Sequence, residues 1–137
     1  MNKEFKDFLQ EIVNLSFGEL VDLGIDILTR AKKHLDDDEF DNFVWAVTRA
    51  FVSADGDCGR KEYELFRAIT GYDGSTDHFY QMTNNGRDDD FLKTLYKALN
   101  VINPDAKSKL LLFGIVITAA DGTISSDEIA LIEAMTS

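Results

Sequence analysis

Proline, cysteine and histidine are scarce in this chain: its 137 residues hold one Pro, one Cys and two His. A single cysteine excludes an internal disulfide framework, and one proline with nine glycines excludes a collagen-like or low-complexity chain. Cys58, His34 and His78 stand far apart in sequence, with no C-x-x-C or H-x-x-x-H spacing, so neither zinc nor iron is expected. Basic charge is scarce as well. Fourteen Lys and Arg stand against 25 Asp and Glu, a net charge of −11 with a pI near 4.4. The excess is even along the chain: residues 1–68 carry nine basic and fifteen acidic groups, and residues 69–137 five and ten. Without a basic stripe to neutralise phosphates, nucleic-acid binding is not expected, and an anionic membrane surface is disfavoured for the same reason. The natural counterparts of such a chain are cations or basic patches on other proteins.

Long apolar runs are missing too. The longest, Leu110 to Ile117, has eight residues, against the roughly 20 that span a bilayer. Met1 to Asp7 carries charge but no apolar stretch of signal-peptide length, and a lone Cys58 suits a reducing compartment. The expectation is a soluble, cytoplasmic protein without direct membrane association.

What is present is the material of one globular domain: 45% hydrophobic, 11% aromatic and 28% charged residues. A chain of this length buries roughly two-thirds of its unfolded surface. Its dominant period is helical. Phe5, Phe8, Leu9, Ile12 and Val13 form one apolar stripe, Leu20, Leu23, Ile27, Leu28 and Ala31 a second, and Phe91, Leu92, Leu95, Tyr96 and Leu99 a third. No segment alternates with period two, so the fold class is all-α. Residues 43–54 and 110–120 are apolar nearly all round and read as a buried core pair, Trp45 included.

Helix starts are marked by capping chemistry. Ser16-x-x-Glu19 and Ser125-x-x-Glu128 match the capping box, Asp36-x-x-Glu39 is an acidic version, and Asn103-Pro104 puts a cap ahead of an N1 proline. Gly18, Gly56, Gly71 and Gly122 read as helix ends. These signals predict helices near 3–15, 19–34, 37–54, 60–69, 76–84, 88–102, 104–120 and 126–136. His34 falls in the last turn of the second, where cations complement the dipole, and His78 carries no specific signal. The acidic runs 36–39 and 88–90 read as solvated helix starts. The turn-rich stretch 70–90 reads as the least ordered.

That stretch divides one domain, residues 1–137, into half-units of about 19–69 and 88–136 joined by an insert at 70–87. The halves share a motif. Residues 51–66 align with 117–132 at an offset of 66, with Ala, Asp, Gly, Glu and Leu coinciding. Each copy reads helix, Ala-Asp-Gly turn, then a new helix whose Glu lies six residues past the Gly, which implies a pseudo-twofold pairing of two like units. Neither copy is an EF-hand: with Asp55 or Asp121 at position 1, the required Gly falls on Arg60 or Ser126 and the bidentate Glu on Phe66 or Ile132.

Two copies of Ala-Asp-Gly-x-x-x-x-x-Glu in a small acidic helical chain resemble the TerB-like family, the tellurite-resistance proteins whose module also precedes the J domain in some membrane-bound co-chaperones. The resemblance covers about residues 20–137. It implies a compact bundle of about seven or eight helices with internal twofold character and an acidic face that binds divalent metal. By that resemblance Asp55 and Glu62 match the first motif, and Asp121 and Glu128 the second. The first copy departs from the second: Cys58 and Gly59 stand where the second has Ile124 and the capping Ser125.

Each of these residues also has a structural reading. Asp55 and Asp121 can bond nearby amides and end a helix, and Glu62 and Glu128 can complete caps at positive helix N-termini. Two functional expectations follow. One is a non-catalytic stress-response module with an oxygen-ligand site for calcium, magnesium or manganese. The other is a metal-independent acidic adaptor for a partner with a basic patch, using Tyr72, Phe79 and Tyr80 of the insert as a contact region. Cys58 has no neighbouring base, and no phosphate loop or general-acid constellation is present, so an enzyme is not expected.

Overall fold

The computed structural model describes residues 3–52, 59–84 and 89–136. Among these are eight α-helices and no strand, an all-α bundle as the periodicity predicts: α1 (Lys3–Ile12), α2 (Phe17–Lys32), α3 (Asp37–Val52), α4 (Arg60–Thr70), α5 (Thr76–Asn84), α6 (Asp89–Asn100), α7 (Pro104–Thr118) and α8 (Ser126–Thr136). A 3-10 turn, Ala119–Asp121, extends α7.

The helix starts follow the caps. Ser16 and Glu19 bond reciprocally, with the Ser16 N–H donating to Glu19 Oε1 at 3.0 Å and the Glu19 N–H to Ser16 Oγ at 3.2 Å. Asp36 and Glu39 form the same box. The Asn103 side chain accepts from the amides of Asp105 and Ala106 ahead of Pro104. Because Ser16 begins a helix, Gly18 lies inside its first turn and ends nothing, which corrects one expected boundary. Gly71 and Gly122 do end their helices, at φ 77° and 83°, where a side chain would be strained.

α7 is the axis of the bundle. Every residue from Leu110 to Ala119 is buried, and α1, α2, α3, α4, α6 and α8 all pack against it. Each fully buried Leu, Ile or Phe along it is worth about 1.5–3 kcal/mol. α3 packs closely on α7 as expected, most closely at Gly114, where the Phe51 ring lies so near that a Cβ would stand 2.6 Å from it. The expected pair is nevertheless unequal. α3 buries Val44, Val47, Ala50, Phe51 and Val52, while Phe43, Trp45 and Ala46 are only half-covered, and α2 covers α7 as fully as α3 does.

The insert joins this core. Phe79 on α5 is fully buried, with ring centroids 5.2 Å from Phe66 and 5.4 Å from Tyr63. The Tyr63 hydroxyl donates to the Gly74 carbonyl at 2.9 Å and pins the turn before α5 to α4. Apolar residues between turn signals thus dock α5 on α3. Phe79 therefore cannot serve the partner contact expected of it. Tyr72 and Tyr80 are half-buried.

Candidate functional site: a buried carboxylate between two helix starts

The second motif is built as its capping box predicts. Ser125 caps α8: its N–H donates to Glu128 Oε1 at 2.7 Å, and the Glu128 N–H donates to Ser125 Oγ at 3.1 Å. Upstream, Asp121 sits exposed in the 3-10 turn, which Gly122 closes by donating its N–H to the Ala119 carbonyl at 2.9 Å. The side chain of Glu128 is 5% exposed.

The first motif is described from Gly59 onward. Gly59 caps α4 with backbone alone, and Glu62 occupies the position that Glu128 holds in α8. Glu62 is 4% exposed. Its Oε2 is, among the described residues, the one buried side-chain polar atom without a hydrogen-bond partner. α4 packs against the 3-10 turn that carries Asp121. Burial pushes the Glu62 carboxyl up to about 7, and the charges of Asp121 and Glu128 push the same way. Hydrogen bonds from the backbone of Glu62 and Gly59 offset this in part. The charges of Asp121 and Glu128 therefore both bear on the buried Glu62 carboxylate.

Asp55 and Cys58 lie outside the described residues. Among those described, no group of three or more His, Cys, Asp and Glu side chains is spaced to hold a metal ion. What the described part offers is a buried carboxylate oxygen lacking a donor, with like charge beside it. An arrangement of this kind is relieved by a proton or by a cation that takes oxygen ligands.

The burial of Glu62 was not legible from its motif. The one local difference from the second motif is glycine at 59, which lacks the hydroxyl with which Ser125 caps the Glu128 amide. The histidines lie elsewhere. His34 stands just past α2 and its Nε2 meets Asp105 at 3.3 Å, joining α2 to the start of α7. His78 Nδ1 contacts the Tyr72 hydroxyl. Two open grooves mark the surface. One, of about 360 Å³, lies between α2, α3 and the end of α4, with Leu28, Phe40, Trp45 and Tyr72 in its wall. The other, of about 320 Å³, lies between α3 and α6, with Phe43, Ala46, Phe91 and Leu95. No helix among the described residues is long and apolar enough to cross a membrane.

No protein-family model, no curated protein and no solved structure matches this chain.

Proposed function

We propose that this protein is a non-catalytic, TerB-like stress-response module that binds a hard divalent cation at its paired Asp-Gly turns. The observation that carries the reading is Glu62, a nearly fully buried carboxylate with one oxygen unpartnered and two further carboxylates acting on it from the second unit. By the motif resemblance the ligands would be Asp55, Glu62, Asp121 and Glu128, a set that the three described carboxylates do not make by themselves. Donors of this kind favour calcium, magnesium or manganese. The cation would remove the mutual repulsion and tie the start of α4 to the 3-10 turn and α8, so that binding stiffens one helix–turn–helix unit against the other. Tellurite is an oxyanion, for which a chain of charge −11 is a poor ligand, so the connection to tellurite resistance rests on the motif resemblance alone.

Titration of metal-stripped protein with manganese, followed by loss of the free-ion electron paramagnetic resonance signal, tests this reading. Saturable binding at constant ionic strength that is lost in Glu62→Gln is the expected result. Binding that never saturates, or that Glu62→Gln leaves unchanged, contradicts it. The metal-independent acidic adaptor for a basic protein partner then takes its place, and salt-sensitive partner binding becomes the property to measure.

A further inference from the structure

The groove between α2, α3 and the end of α4 has three walls, each set by local pattern. Ile25, Leu28 and Lys32 recur at helical spacing on one face of α2, and Phe40, Asp41 and Trp45 do so on α3. Ile69 of α4 forms the third side. α2 comes close to it because Gly24 has no side chain: a Cβ there would stand 2.3 Å from Ile69 Cδ1. At the end of α4, Gly71 takes φ 77° and turns the chain back, and Tyr72 then meets the Trp45 ring edge-on with centroids 5.2 Å apart. Trp45 is only half-covered and Ile25 is 44% exposed, so this face presents apolar surface to solvent.

Its charge is complementary to a cation. Lys32, the basic residue of the wall, is already engaged, with its Nζ 5.5 Å over the Phe40 ring and 3.9 Å from Asp37. Among the described residues no ion pair engages Asp41, nor Asp22, one turn before Ile25 on the same side of α2, nor Asp73 beside Tyr72. Asp41 and Trp45 stand at i and i+4, so the carboxylate and the indole share one face of α3. A guanidinium stacks on an indole while its N–H groups bond a carboxylate, a pairing that a compact ammonium makes less well. A volume of about 360 Å³ is at the small end of binding sites, roughly 300–1,000 Å³, and suits one or two side chains rather than a whole helix. A second copy of this chain, also of charge −11, would be repelled. We propose that the groove docks an arginine-bearing apolar segment of another protein: an apolar side chain seats over Leu28, Val44 and Ile69, and the neighbouring guanidinium lies on Trp45 against Asp41. This docking does not depend on the cation site, and it gives the acidic-adaptor alternative a defined surface.

Trp45 is the one tryptophan of the chain, so its emission reports on the groove directly. The test titrates the protein, in chelator, with a capped hexapeptide of alternating leucine and arginine. Beside it run the same peptide with citrulline for arginine and another with serine for leucine. Asp41→Asn and Ile25→Lys alter the groove, and Thr94→Lys alters the groove between α3 and α6. Each raises the net charge by one at an exposed residue, and urea unfolding should show all three as stable as the natural chain. Saturable binding is expected, weakened roughly tenfold by Asp41→Asn, by Ile25→Lys or by citrulline, and less than about twofold by Thr94→Lys. The serine peptide should not saturate. Equal losses in the three variants would mean general attraction to an acidic surface and overturn the proposal. Citrulline or serine peptides binding as tightly overturn it too, as does the absence of a saturable emission change. Sedimentation showing a dimer of the chain alone that Ile25→Lys dissolves would make a second copy the occupant and overturn it. If Ile25→Lys unfolds, Asp41→Asn and the peptide series decide the question. Chelator is present throughout, so none of these outcomes bears on the cation reading.

Discussion

Glu62→Gln is the sharpest perturbation of this fold, because its effect should depend on pH with a sign opposite to that of most carboxylates. The ordinary value of 4.5 is raised to about 7 by burial first and by Asp121 and Glu128 second. A carboxyl whose pKa is raised on folding binds its proton more tightly in the native state. Its contribution to stability is therefore fully present below about pH 4.5 and is lost as pH rises through about 7. That interval corresponds to at most about 3 kcal/mol. Urea unfolding in chelator, followed by the fluorescence of Trp45 against Phe66 and Tyr72, measures it between about pH 5 and pH 8. The natural chain should lose stability across this range relative to Glu62→Gln, and subtracting the variant's curve removes the titrating groups that do not interact with Glu62. Glu19, held below its ordinary value by hydrogen bonds from Ser16, is the same in both proteins and cancels in the difference. Parallel curves for the two proteins would refute the claim that Glu62 is ionised at a cost in the folded state.

Three further perturbations follow from the same structure. Asp121→Asn removes a repulsive neighbour of Glu62, so in chelator above pH 7 it should be slightly more stable, by less than about 1 kcal/mol because Asp121 is exposed. With manganese present the order should reverse, and thermal melts in both conditions check it. Gly114→Ala drives a methyl group into the Phe51 ring, and denaturant unfolding should show a loss of about 1–3 kcal/mol from overpacking between α3 and α7. Phe79→Ala empties a fully buried site, and the same assay should show a loss of about 3–5 kcal/mol with altered Trp45 emission, the two rings lying 6.1 Å apart. A loss under 1 kcal/mol would mean that α5 is an appendage rather than core.

The caps made most of the architecture legible. Ser16, Asp36, Asn103 and Ser125 are local devices, readable because each acts within three residues of its own helix start. α7 was legible because an apolar run with no polar face has to be enclosed. Tertiary placement was less so. The stretch 43–54 has a composition like that of α7, yet Phe43 and Ala46 line an open groove against α6, a fact about neighbours that no local pattern encodes. α5 was obscured by its flanks: turn residues on both sides suggested a loose insert, while Phe79 reaches the centre of the fold. In the candidate site the motif pointed to Glu62 and Glu128 as a matched pair. It did not reveal their asymmetry, which arises because one helix start has a serine hydroxyl and the other has empty space filled by a carboxylate.

On the proposed reading, the acidic residues of the two Asp-Gly motifs form one cation site. A thermal melt of metal-stripped protein, with calcium, magnesium or manganese added at matched ionic strength, tests it most directly. A ligand at 100 times its dissociation constant stabilises the folded state by about 2.7 kcal/mol, or about 10 °C in a domain of this size. The account predicts a rise of that order with at least one of the three ions, abolished in Glu62→Gln. A melting temperature that follows ionic strength alone, or that rises equally in Glu62→Gln, would contradict it.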